Sequence, residues 1–223
     1  MNTNPGIIGR KLGNTQVYTA EGNVSRVTVI EAGPVTVIAK RTKEKDGYTA
    51  LVLGLEERKA KHTTKSVAGQ FKKAGTTPKK IVQELRCSDE FAAKYEAGAV
   101  MKLDEIFTPG QLVDVRGKTR GRGFTGVMRR WSFAGNVSSH GTHEYFRHGG
   151  SIGTNMTPGR TLPNLKMGGH YGDETVSVLN LKVAQIDTEK HLLLIEGAVP
   201  GSKGGVVLIR QGVKATKKRK AGR

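Results

Sequence analysis

Residues 24–41 read VSRVTVIEAGPVTVIAKR: two runs rich in β-branched residues, Val24–Glu31 and Val35–Arg41, separated by Gly33-Pro34. β-Branched side chains are stiff at χ1 and pack well on a pleated surface. Proline brings no N–H to a strand ladder, so the Gly-Pro pair ends one strand before the next begins. Working outward, Gly6–Thr19 (GIIGRKLGNTQVYT) reads as two short strands broken at Gly13-Asn14, and Gly22-Asn23 as a turn. On the other side, Asp46-Gly47 reads as a hairpin-type turn into Tyr48–Leu55; Ile81–Arg86, Val100–Phe107 and Gln111–Val115 follow as further strands. Glu174–Ile186 (ETVSVLNLKVAQI) alternates, which makes Val176, Val178, Leu181 and Val183 the expected inward side chains. His191–Glu196 and Gly205–Arg210 close the series, with turns at Asp187–Lys190 and Gly201–Gly205. Many short strands at this spacing predict a mainly β chain, built as a barrel or a sandwich.

Two stretches break this rhythm. Glu56–Lys80 carries eight Lys/Arg, Lys72 and Lys73 among them, against Glu56 and Glu57. A charge run is ordinarily a solvated surface; in a chain this basic it is also expected to touch phosphate. Soon after, Ser88-Asp89-Glu90 precedes FAAKYEAG, where a serine N-cap, acids in the first turn and Gly98 past the end predict a short helix. The second break is Arg116–Tyr171, with nine Lys/Arg, the single acid Glu144, twelve glycines and four of the six histidines. Its apolar residues follow neither period 2 nor period 3.6, so it offers no face to a protein core. Ordering a residue costs about 1–2 kcal/mol of backbone entropy. Such an arm is expected to be disordered alone and to take its order from a polyanion.

Overall composition agrees. The 223 residues carry a formal net charge of +18, with a pI near 10.2, which fits a nucleic-acid-binding protein better than a typical enzyme. Hydrophobic residues at 36% still supply a core, so wholesale disorder is excluded. The lone Cys87 can form neither an internal disulfide nor a cysteine-based zinc site, and an inert, buried thiol is expected. MNTNPGIIGR lacks a signal-peptide pattern and the longest strongly apolar run is LLLI. A cytoplasmic, soluble chain with no membrane partner is expected.

Motifs for chemistry fail on context. Gly121-Arg122-Gly123-Phe124-Thr125-Gly126 fits G-x-G-x-x-G, but Gly135, Asn136, Ser138, Ser139 and Gly141 deny it the amphipathic helix a dinucleotide site needs. These glycines better serve close backbone approach to phosphate, with Arg120 and Arg122 supplying charge. His140, His143, Glu144 and His148 do not have the H-E-x-x-H helical spacing, so no metal, cofactor, catalytic residue or small-molecule substrate is expected. Histidines at RNA bases explain them better. Arg129-Arg130-Trp131-Ser132-Phe133 interleaves cations with aromatics, which suits base stacking and cation–π contact.

The runs TRGRGFTGVMRRWSFAG, SSHGTHE, GGSIG and TPGR resemble the long internal loop of the L-three family of large-subunit ribosomal proteins. The likeness extends to GIIGRKLGNTQVYT, RVTVIEAGPVTVI, FKKAG and KVAQIDTEKHLLLIEGAVPG, in the same order, and so covers most of the chain. The resemblance implies a closed barrel like that of translation proteins, with a small helical or irregular insertion and a long basic non-globular loop. It implies binding to the 3′ domain of large-subunit ribosomal RNA early in assembly, with the loop reaching toward the peptidyl-transferase centre and neighbouring ribosomal proteins as partners. Three positions depart from the family pattern: Asn14 stands where Met is common, Gly149 where Pro is usual, and Met156 where some bacterial members have a methylated glutamine. The expected organisation is a split barrel over 1–115 and 172–213, with 56–100 as a basic insertion, 116–171 as an RNA-penetrating arm and 214–223 as a disordered basic tail. The expected RNA-binding residues are Arg116, Lys118, Arg120, Arg122, Arg129, Arg130, Trp131, His140, His143, Arg147, His148, Arg160 and Lys166, with Lys72 and Lys73 outside the arm. The rival readings are an RNA-binding protein outside the ribosome and an RNA-modifying enzyme; the second lacks a visible cofactor site or nucleophile.

Overall fold

The computed structural model describes residues 2–19 and 22–214, so the expected basic tail lies, after Lys214, outside the described residues. In chain order the first half forms strands β1 (Gly6–Tyr18), β2 (Val24–Glu31) and β3 (Val35–Arg41), helix α1 (Lys43–Asp46), β4 (Ala50–Glu57), helix α2 (Lys65–Lys73), β5 (Lys79–Arg86), helix α3 (Asp89–Ala93) and β6 (Val100–Met101). The second half forms β7 (Leu112–Lys118), β8 (Phe124–Thr125), helix α4 (Val127–Trp131), β9 (Gly169–His170), β10 (Thr175–Asp187), β11 (Leu192–Glu196) and β12 (Val206–Gln211). Two compact units result: residues 119–174, and the remainder on either side of them in sequence.

The larger unit contains a closed antiparallel barrel in the order β1-β12-β7-β10-β11-β2, which shuts where β2 pairs back onto β1. Its wall is lined by alternating residues such as Val113, Val115, Val183, Leu193, Ile195 and Ile209, all fully buried. β2 hydrogen-bonds β1 on one edge and β11 on the other, so β3 finds no free barrel edge beside it. β3 instead starts a second sheet, ordered β5-β4-β3-β6. Reading every strand of 1–115 outside the insertion into one barrel is therefore corrected: period 2 tells which face is buried, not which sheet the strand joins. One face of the second sheet (Val35, Val37, Leu51, Leu53, Leu85) shares a continuous core with the barrel and Phe107. On the opposite face, Ile38 and Val52 are covered by Phe71 and Ala74, in and just after α2.

Several local expectations change. β1 is one strand with a register shift between Lys11 and Gly13, not two. Asp46-Gly47 lies in the connection between the antiparallel β3 and β4, where it ends α1, with Gly47 at φ 78. Val100–Phe107 is a strand only at Val100–Met101; beyond it, Ile106 and Phe107 donate back to the Leu103 carbonyl, burying Leu103, Ile106 and Phe107 in a turn. Along β10 only Val183 is fully buried, and Leu181 is packed against the core. Register shifts at Val178/Leu181 and Val183/Gln185 reset the alternation, which leaves Val176 and Val178 outside the core. The helix at Ser88 starts as its cap predicts, with Ser88 Oγ accepting from the Phe91 N–H at 3.4 Å, but it ends at Ala93, short of Gly98. Cys87 is buried, and burial pushes its thiol pKa up.

Lys11 ties the β1 bulge to a distant turn: its Nζ donates to the carbonyls of Val199 (2.7 Å) and Gly201 (3.2 Å). Lys11→Met keeps the aliphatic stem but strands both carbonyls, which costs about 1–3 kcal/mol for a buried acceptor. Urea unfolding is expected to show a destabilisation in that range, with an unchanged m-value.

Candidate nucleic-acid interface

Lys118 at the end of β7 pairs with Thr175 at the start of β10. Beyond that pair, residues 119–174 form their own unit, held at its base by main-chain hydrogen bonds. Thr119 N–H donates to the Glu174 carbonyl at 2.8 Å, Arg122 N–H to Tyr171 at 2.9 Å and Tyr171 N–H to Gly123 at 3.0 Å. β8 and β9 then pair Phe124 with His170 and Thr125 with Gly169. Gly172, at φ 74, is buried in this base, and a Cβ there would run into the Arg120 carbonyl oxygen.

A helix, α4, follows Gly126 directly, where no helix is expected from sequence. It has only five residues and stops at Ser132 in the left-handed conformation, so it is no dinucleotide-binding helix. α4 carries Arg129, Arg130 and Trp131. The Trp131 indole N–H and the Arg130 guanidinium both donate to the Met167 carbonyl, at 2.8 and 2.9 Å. The Arg130 guanidinium lies 4.8 Å and the Lys166 ammonium 5.9 Å from the Trp131 ring centre, within cation–π reach. Trp131 is nonetheless 39% exposed. Further on, Asn136 closes a turn by donating from its backbone to Phe146 and from its side chain to Tyr145, both at 3.0 Å. His143–Arg147 is a single 3₁₀ turn, and the His148 ring lies 4.9 Å from that of Tyr145. His140 and His143 both sit at positive φ, 57° and 48°. Arg122 lies 4.9 Å over the Tyr171 ring.

Thus the expected featureless loop has local structure, and its hydrogen bonds, not apolar burial, define it. Among the described residues no apolar side chain of this unit is buried; only Thr125 and Gly172 are. Phe124, Tyr145, Phe146, Ile152, Met156 and Leu162 are exposed.

The electrostatics of the two units differ. In the larger one several acids are matched by cations: Arg10 and Lys80 with Glu56, Lys79 with Glu57, Arg41 with Asp46, Lys43 with Asp89, Lys182 with Glu196. Among the described residues no ion pair engages Arg120, Arg122, Arg129, Arg130, Arg147, Arg160 or Lys166. Arg116 and Lys118 lie on β7 in the larger unit and are exposed there. Lys72 and Lys73 end α2, also exposed, where a positive charge suits the helix C-terminus. No group of three His, Cys, Asp or Glu side chains able to hold a metal occurs among the described residues. Sequence reasoning misses two groups, the Met167 carbonyl and Gly172. Neither has a side-chain signal, because both act through the backbone.

Comparison with known proteins adds the decisive observation. The family described as Ribosomal protein L3 matches residues 71–192. The protein named Large ribosomal subunit protein uL3 of Sorangium cellulosum is 69% identical over 214 residues, covering 96% of this chain and 92% of that protein. The chain belongs to the ribosomal protein L3 family. Proteins of the same printed name from Myxococcus xanthus (49% identical, 94% of each chain) and Thermotoga petrophila (50%, covering 95% of this chain and 99% of that one) are similar over the same extent. The family is one of ribosomal structural proteins, not enzymes, which sets aside the RNA-modifying reading. The unpaired cations and exposed rings of residues 119–174 are then the features to explain.

Gly172→Ala tests how the base of this unit is held. A left-handed non-glycine residue costs about 1–2 kcal/mol before any steric clash. In the isolated protein the Arg122 and Tyr171 amides are expected to exchange at least tenfold faster, while Val115 and Ile209 keep their protection.

Proposed function

We propose that this chain, a structural protein of the large ribosomal subunit in the cytoplasm, grips large-subunit ribosomal RNA with the cations and aromatic rings of residues 116–171. The observation that carries this reading is that, among the described residues, no ion pair engages Arg120, Arg122, Arg129, Arg130, Arg147, Arg160 or Lys166 and no apolar side chain of residues 119–174 is buried. Arg116, Lys118, Arg120, Arg122, Arg129, Arg130, Arg147, Arg160 and Lys166 supply charge for phosphates, with Lys72 and Lys73 as a second contact region. Trp131, with His140, His143 and His148, offers flat or hydrogen-bonding surfaces to unpaired bases. The split β unit acts as the anchor, the arm as the part that penetrates RNA, and neighbouring ribosomal proteins complete the site. The family resemblance supports placing the anchor at the 3′ domain of the RNA early in assembly. It also supports an arm directed toward the peptidyl-transferase centre, where the chemistry is the RNA's and the protein braces it. With Met156 in place of glutamine, side-chain amide methylation has no substrate at that position.

Phosphate-driven binding carries a salt signature. Neutralising about 6–10 phosphates lowers affinity roughly 10³–10⁵-fold between 50 and 200 mM salt. Filter binding of the full chain to deproteinised large-subunit RNA is expected to show that fall; a flat response contradicts the reading.

Trp131 separates stacking from packing. A stacked base is worth about 1–3 kcal/mol, whereas a core aromatic lost to alanine costs about 3–5 kcal/mol of stability. Trp131→Ala is expected to weaken RNA binding roughly 5–150-fold and to leave the thermal midpoint of the free protein nearly unchanged.

A further inference from the structure

The larger unit holds a second cationic site of its own. We propose that a cleft of about 320 Å³ lined by Arg86 (β5), Arg116 (β7) and Arg210 (β12) binds a single backbone phosphate of ribosomal RNA, apart from the residues 119–174. This rests on the reading of the chain as an RNA-binding ribosomal protein and adds a defined anchor point to it.

Strand register brings the cations together. Arg116 pairs with Leu208 and Arg210 with Asp114, so Arg116 and Arg210 are diagonal neighbours on one face of the β7–β12 ladder. Arg210 is fixed: its guanidinium donates to the Arg86 carbonyl at 2.9 Å and to the Asn2 carbonyl. Both acceptors are neutral. Burial foremost pulls the Arg210 pKa below the ordinary arginine value; Cys87 opposes the shift and the charge of Arg116 adds to it.

The two acids in the lining are occupied elsewhere. Asp114 accepts from the backbone N–H of Asn180 (3.0 Å) and of Val213 (3.2 Å). Glu84 is held by Arg41 at 3.3 Å and by the Tyr48 hydroxyl at 2.8 Å. Among the described residues, neither acid forms an ion pair with Arg116 or Arg210. The β10 bulge at Val178/Leu181, with Asn180 at φ 58, shapes the rim and leaves Leu179 exposed there. Arginine's planar fork matches phosphate oxygens in two-point contacts, and a rigid barrel wall positions it without further ordering cost. On the reading of the chain as an RNA-binding ribosomal protein, the anion is a backbone phosphodiester rather than a carboxylate of an acidic peptide.

The test uses the full chain and deproteinised large-subunit RNA, with filter binding between 50 and 200 mM salt. Arg86 is exposed and holds Arg210 through its carbonyl rather than its side chain, so Arg86→Ala should fold; a thermal melt checks this. Losing one phosphate contact lowers the magnitude of the salt slope by about one, so wild type and variant affinities converge about fourfold across that range. Lys94→Ala, removing a cation at the end of α3, serves as the control with a nearly unchanged slope. An Arg86→Ala slope equal to wild type, or a Lys94→Ala slope reduced as much, overturns the phosphate site. A wild-type slope near zero instead overturns RNA binding through phosphates altogether, so the two failures are distinguishable.

Discussion

The pairing of β7 with β10 is the constraint on which the rest depends. It sits in the barrel wall, anchored by the buried Val113, Val115 and Val183, and it continues out to Lys118 opposite Thr175. Closing a long loop costs entropy only in proportion to the logarithm of its length, and the barrel core meets that cost. Residues 119–174 therefore need no hydrophobic core of their own. Their sequence is free to be glycine-rich, basic and aromatic, the composition that a surface for RNA requires and that a folding core forbids. The short ladder from Thr119–Glu174 to Thr125–Gly169 carries the clamp a few residues further by main-chain bonds, with the Thr119 hydroxyl also accepting from the Glu174 N–H.

Charge is divided along the same line. In the larger unit Glu56, Glu57, Asp46, Asp89 and Glu196 are matched with Arg or Lys neighbours, which limits self-repulsion where the chain must stay folded. In the arm, cations gather around rings and carbonyls instead: Arg130 and Lys166 around Trp131, Arg122 on Tyr171. Cation–π contacts hold a guanidinium in place without neutralising it. Such a cation is oriented in advance and still available to a phosphate. Arg210 follows the same logic on a rigid strand face, with neutral carbonyls as the fixing groups.

Sequence showed the strands better than the sheets. Val24–Glu31 and Val35–Arg41 are observed with the bounds read from their β-branched runs and the Gly33-Pro34 break. That they belong to different sheets was not legible, because edge occupancy of β2 is a property of partners far along the chain. α2 was hidden for another reason. Eight cations across Glu56–Lys80 read as solvated surface, while Phe71, 2% exposed, and Ala74 carry the whole apolar contact to Ile38 and Val52. Ser88 was legible since a cap is local chemistry. Val176 and Val178 misled because a bulge at Asn180 is invisible to a strict period of two. In the arm, Trp131 and its flanking arginines could be picked from composition. Their shared acceptor, the Met167 carbonyl, could not, since any residue supplies one.

The central claim is that RNA, not a protein core, supplies the stable order of residues 119–174. Amide hydrogen exchange on the full chain, alone and bound to deproteinised large-subunit RNA, tests it most directly. Opening free energy follows buried apolar contact, so in the free protein amides between Phe124 and His170 are expected to exchange far faster than those of Val115 and Ile209. On RNA they should gain protection while the barrel amides barely change. Arm amides as slow as the barrel amides without RNA, or unchanged when RNA is bound, would contradict it.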